Sequence, residues 1–121
     1  MANPFVHVEL HTDDVGRAKE FYSKLFRWEL EDVPMPGMTY TLIKPGEGTG
    51  GGMMKNPMPG APAAWLSYVG VDDVEASTKR ARELGARIVQ DVMPVGDFGK
   101  MSVFQDPTGA YLALWQALKK A

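Results

Sequence analysis

The first clear pattern in the chain is an alternation. From Phe5 to Thr12, Val6, Val8 and Leu10 point one way and His7, Glu9 and His11 the other, as successive residues of a half-buried strand do. A helical rhythm follows: Val15, Ala18, Tyr22 and Leu25 are spaced i, i+3, i+7, i+10 behind Asp13-Asp14, whose carboxylates suit the free N–H groups of a helix start. Three more strands are predicted, at Trp28–Val33, Met38–Lys44 and about Gly50–Lys55. Turn signals at Pro34-Met35-Pro36-Gly37 and Pro45-Gly46 separate them.

The same order then returns. Asp13-Asp14-Val15 recurs as Asp72-Asp73-Val74, an offset of 59 that carries the first helical face onto Val74, Ser77, Ala81 and Leu84. Ala64–Val71 is the counterpart of the first strand, and Gly85 suits the second helix's stop. Strands are predicted at Arg87–Val92, Gly99–Gln105 and Ala110–Gln116, with turns at Val95-Gly96-Asp97 and Asp106-Pro107-Thr108-Gly109. The fold class is therefore α+β: two tandem βαβββ modules, about 4–55 and 64–117, within a single domain of residues 1–121. The proline-rich stretch from Asn56 to Pro62, about 56–63, is the linker.

A strand with a helix on one face must use its other face for something. In the first module that face carries His7, Glu9 and His11. Same-face neighbours lie about 6.6–6.8 Å apart along a strand, so two can converge on one ion but three in a row cannot. An irregular metal site could be made by such a pair plus waters, or with a third ligand from Asp97, Asp106 or a second subunit. The plainer reading is that His7 and Glu9 hydrogen-bond one another or the backbone, with His11 at a wet strand end. Offset 59 pairs Glu9 with Tyr68, and a partly buried glutamate suits a general base, a recognition group or a structural carboxylate.

On the last strand, Tyr111, Ala113 and Trp115 alternate with Leu112 and Leu114. With the leucines under the helix, Tyr111 and Trp115 form an aromatic wall for a planar or apolar ligand. Tyr40, Tyr68, Phe98 and Phe104 are further candidates for it, while Trp28 reads as packing after the first helix. Gly46-Glu47-Gly48-Thr49-Gly50-Gly51 matches GxGxxG in form only, because prolines rather than a helix follow. The run Gly48–Gly52 is read as a mobile edge, Lys100 and Asp97 as solvated loop charges, and Lys119-Lys120 as a soluble tail.

Composition narrows the classes. Lys and Arg total 13 against 15 Asp and Glu, a net charge of −2, so no basic surface points to nucleic acid. No apolar run approaches the ~20 residues of a membrane span, and the first residues lack a signal-peptide pattern. The chain has no cysteine, which excludes disulfides, thiolate metal sites and a cysteine nucleophile, and fits the cytoplasm.

These features resemble the vicinal oxygen chelate superfamily, which includes glyoxalase I, bleomycin resistance proteins and extradiol dioxygenases. The matching residues are His7 on the first strand, Thr12-Asp13-Asp14-Val15 and Phe21-Tyr22-Ser23-Lys24-Leu25-Phe26-Arg27-Trp28. In the second half they are Trp65–Val74, Glu83-Leu84-Gly85-Ala86 and Asp106-Pro107-Thr108-Gly109-Ala110. The resemblance implies a curved sheet around a central cavity with helices outside, and usually a homodimer. In metal-dependent relatives a divalent ion takes one ligand from the first and one from the last strand of each half. Those positions fall here on His7, Leu66, Ala113 and, in the first half, near Gly52 or Met53, so only His7 matches a ligand. Ala113 can serve as neither ligand nor base, and standard glyoxalase chemistry is not expected.

The leading expectation is a small-molecule-binding protein without the standard metal site, its ligand contacted by His7, Glu9, His11, Tyr68, Tyr111 and Trp115, and Glu9 the candidate catalytic group. No cofactor, nucleic acid or membrane is expected. The alternative is a divergent metal-dependent lyase, isomerase or dioxygenase using His7 and Glu9. A third reading is a non-catalytic interaction module.

Overall fold

The computed structural model describes residues 2–118; the Lys119-Lys120 tail lies outside the described residues. The chain is α+β and runs as two βαβββ modules. The first comprises β1 (Phe5–Thr12), α1 (Val15–Leu25), β2 (Glu29–Met35), β3 (Met38–Lys44) and β4 (Gly51–Lys55). The second comprises β5 (Ala64–Gly70), α2 (Val74–Glu83), β6 (Arg87–Val95), β7 (Gly99–Gln105) and β8 (Tyr111–Ala117). In each, the last strand runs parallel to the first and the rest pair antiparallel, giving β2-β3-β4-β1 and β6-β7-β8-β5.

By packing, the chain divides into two compact units, His7–Leu66 and Ser67–Ala121 with Met1–Val6. The start of the chain thus belongs with the second unit. There the Gly70 N–H donates to the Pro4 carbonyl at 2.9 Å, and Asn3 Nδ2 donates to the Gly70 carbonyl at 2.9 Å.

Both helices begin as the paired aspartates predict. Asp14 Oδ1 accepts from the Arg17 N–H at 3.0 Å, and Asp73 Oδ1 from the Ala76 N–H at 3.1 Å. Gly85 ends α2 in the left-handed region, with φ of 103°. The apolar stripes are shorter than their spacing implies. Leu25 is the last residue of α1 and Leu84 the C-cap of α2, and both are exposed because the chain leaves the sheet there.

In the first unit Leu10, Ile43 and Met53 form the core under α1, with Val15, Ala18, Tyr22, Trp28 and Leu30 packed against them. In the second, Val74 and Thr78 of α2 are buried along with Leu114 and Ser102 of the sheet. Two strands extend past their predicted ends. Pro34 lies inside β2 and Pro94 inside β6, each pairing with one neighbour only, where a missing N–H costs no ladder bond. The glycine run also differs from its expected role as a mobile edge. Gly51 and Gly52 are buried within β4, between β3 and β1. A Cβ on Gly51 would lie 2.2 Å from the Val8 carbonyl oxygen, so only glycine allows that approach.

Candidate functional site

The face of β1 turned away from α1 carries His7, Glu9 and His11, because Leu10 two residues after Val8 fixes the opposite face in the core. Glu9 is the centre of this face, with 6% of its surface exposed. An ionised carboxylate survives such burial only when its oxygens are hydrogen-bonded. Here the Tyr40 hydroxyl donates to Oε2 at 2.6 Å and the His11 Nε2–H to Oε1 at 2.7 Å. His7 Nε2 lies 2.6 Å from the Tyr40 oxygen and 4.0 Å from Glu9 Oε2. Because the single phenolic proton is committed to Glu9, Nε2 of His7 carries a proton and donates to the phenol. Burial pushes the His7 imidazole below its ordinary value, against an opposing pull from the Glu9 carboxylate.

Tyr40 comes from β3, two strands away from β1. It reaches Glu9 across β4 because the residue opposite Glu9 is Gly52. A Cβ at that position would stand 1.9 Å from the Tyr40 oxygen. Tyr40, a candidate for the aromatic wall by its sequence, is instead the hydrogen-bond partner of Glu9. The available signal was indirect: an aromatic at even spacing from Leu42 and a glycine on the strand between.

The second module presents a different face. Tyr68 stands opposite Ala113 in β8, as Glu9 stands opposite Gly52 in β4. Tyr68 and Ala113 are buried, Trp115 meets the Tyr68 ring edge-to-face at 6.5 Å between centroids, and Tyr111 is half exposed on the same face. The Tyr68 hydroxyl lies 3.8 Å from Met101 Sδ. Gly99 makes room for the Trp115 ring, since a Cβ there would be 2.9 Å from the indole.

Other candidates fall elsewhere. Phe104 pairs with Leu112 and shares the face of Ser102, which bonds to α2, so it lies on the helix side rather than in the wall. Phe98 is exposed in the turn before β7. Trp28 packs with Tyr22, Phe26 and Trp65 on the helix side of the first module, beside a hollow of about 280 Å³ bounded in part by Val8 and Ile43. Lys100 forms an exposed ion pair with Glu75. Asp106 is taken up by its own turn: the Thr108 hydroxyl and N–H donate at 2.7 Å and the Ala110 N–H at 3.1 Å, which hold the carboxyl below its ordinary value.

The residues present do not fit the metal set of the metal-dependent relatives. Leu66, Gly52 and Ala113 carry no donor side chain, and His7 Nε2 is engaged by a phenol. Among the described residues no three His, Cys, Asp or Glu side chains are grouped to hold an ion. What the first module offers is a hydrogen-bonded carboxylate between two imidazoles and a phenol.

Known proteins place the chain. It is 38% identical over 127 aligned positions to a Mycobacterium tuberculosis protein named "Putative glyoxylase CFP32", covering 91% of this chain and 44% of that one. It is 31% identical to the anthracycline biosynthesis protein DnrV of Streptomyces peucetius, covering 89% of this chain and 45% of that one. The chain thus spans less than half the length of these curated relatives. Among solved structures, methylmalonyl-CoA epimerase from Mycobacterium tuberculosis superposes with a TM-score of 0.71 over 95% of this chain and 88% of that one, at 17% identity, a likeness of fold. The model of the Glyoxalase/Bleomycin resistance protein/Dioxygenase superfamily matches residues 5–114, and the chain belongs to that superfamily.

Proposed function

We propose that this chain is a small-molecule-binding member of its superfamily that works without the standard metal site, with the Glu9 carboxylate as its polar recognition group and candidate general base. The observation that carries this reading is the cluster around Glu9: a buried carboxylate whose two oxygens are held by Tyr40 and His11. Burying a charge is costly, and a fold that only needed packing at this position would do better with an apolar residue. In the first module His7, Glu9 and His11 are the ligand-facing residues; in the second they are Tyr68, Tyr111 and Trp115, an aromatic face suited to planar or apolar groups. The absence of cysteine supports a cytoplasmic setting. Exposed Phe5, Phe21, Leu25 and Phe26 support a homodimer. Among the described residues no helix is long and apolar enough to cross a membrane.

The test is a thermal-shift screen of phenols, catechols and aromatic amides, whose O–H or N–H groups can donate to a carboxylate, followed by calorimetry on the hits. Glu9→Gln is expected to weaken binding by roughly tenfold or more, the loss of a charge-assisted hydrogen bond. Unchanged binding by Glu9→Gln would remove Glu9 from the site. Stoichiometric divalent metal in protein purified without an affinity tag, lost in His7→Ala, would replace this reading with a divergent metal-dependent lyase, isomerase or dioxygenase.

A further inference from the structure

We propose that Tyr40 and Gly52 act as a pair that excludes a divalent cation from the first module: the phenol, admitted by the missing side chain at Gly52, takes the place of the ion between His7 and Glu9. Strand register carries the argument. Gly52 is opposite Glu9 on one side and opposite Leu42 on the other, and Tyr40 is two residues before Leu42 on the same face of β3. Its ring therefore lies over Gly52, where a Cβ would meet the hydroxyl oxygen at 1.9 Å and Cζ at 2.2 Å. Any side chain at position 52 and the present placement of Tyr40 are mutually exclusive.

The phenol also favours a proton on the nitrogen whose lone pair an ion would need. A metal ligand must be deprotonated, with a lone pair free to donate. His7 Nε2 instead carries the proton that it gives to the Tyr40 oxygen at 2.6 Å, while Tyr40 gives its own to Glu9 Oε2 at 2.6 Å. The two end groups are 4.0 Å apart. With bonds of about 2.0–2.2 Å, a tetrahedral ion sets neighbouring ligands roughly 3.4 Å apart, so a small closure would suit one once the phenol were gone. In this chain a tyrosine oxygen fills the space between the two groups.

The experiment titrates Zn²⁺ into the full chain, purified without an affinity tag, by calorimetry. Three proteins are compared: the unaltered chain, Tyr40→Phe, which keeps the ring and loses the hydroxyl, and Gly52→Ala, whose Cβ displaces it. Circular dichroism establishes that each is folded, so if one variant is lost the other still decides. Both variants are expected to bind Zn²⁺ at least roughly tenfold more tightly than the unaltered chain, with the gain abolished when His7→Ala is added. The ¹⁵N spectrum of the unaltered protein should show His7 as the Nε2–H tautomer, and Tyr40→Phe should bring Zn²⁺-dependent changes to that ring. Equal Zn²⁺ affinity in the unaltered chain and the folded variants would overturn the proposal, as would stoichiometric His7-dependent Zn²⁺ in the unaltered chain.

Discussion

His7 shows how much one residue's surroundings decide. Its imidazole is partly buried beside a phenol and 4.0 Å from a carboxylate, and burial outweighs the carboxylate, so its proton is held less firmly than in the unfolded chain. The unfolded state therefore binds more protons as the pH falls below about 6.5, and stability drops from there down to the pKa of the folded state. Above that range the contribution is complete. The melting temperature should therefore fall as the pH is lowered through 6.5, and that of His7→Gln, which keeps a donor for Tyr40 but cannot titrate, should fall less. An unchanged slope in that variant would mean that other groups carry the acid sensitivity. The face of His7 was readable in the sequence, because Val8 and Leu10 alternate with it. Its partner was not. Tyr40 is 33 residues away, and the contact depends on the register of three strands and on an empty place at Gly52.

At the level of elements, α2 is tied to its sheet by polar as well as apolar contacts. Thr78 Oγ1 bonds to the Val74 carbonyl at 2.6 Å and to Ser102 Oγ at 2.8 Å, and both residues are buried. Gln116 of β8 reaches the first turn of the helix, accepting from the Val74 N–H at 2.8 Å. Replacing Thr78 by valine leaves the Ser102 hydroxyl without this partner in a buried place, which should cost about 1–3 kcal/mol in urea unfolding. Adding Ser102→Ala should recover part of that loss, since removing both partners is cheaper than stranding one. Full additivity of the two changes would show that the hydroxyls do not act together. Asp73→Ala should separately cost about 1 kcal/mol through the lost cap. The existence and order of these elements were legible because periodicity and turn residues are local properties. Their ends were less so: Pro34 reads as part of a turn, and the strand expected to stop at Val92 runs on through Pro94, because β2 and β6 each pair on one side only.

Across the whole molecule, the repeat has kept its frame and changed its chemistry. Equivalent places hold Glu9 and Tyr68, with Gly52 opposite the first and Ala113 opposite the second. One module thus shows a charged hydrogen-bonding face and the other an aromatic face, a divergence visible as residue types in the sequence and made geometric only by the strand register. The three tryptophans can report which face a ligand uses. Trp28 and Trp65 sit together on the helix side of the first module, 6.3 Å apart between centroids and beside the hollow there. Trp115 lies on the opposite side of its own sheet, against Tyr68. A planar ligand bound to the aromatic face should quench indole fluorescence in Trp28→Phe/Trp65→Phe, where Trp115 alone emits, and the ligand-dependent change should vanish in Trp115→Phe. Quenching that survives in Trp115→Phe and disappears in the double variant would move the ligand to the helix-side hollow. In that case the Glu9 face of the first module would still hold its hydrogen-bonded cluster, and the aromatic face of the second would be left as packing.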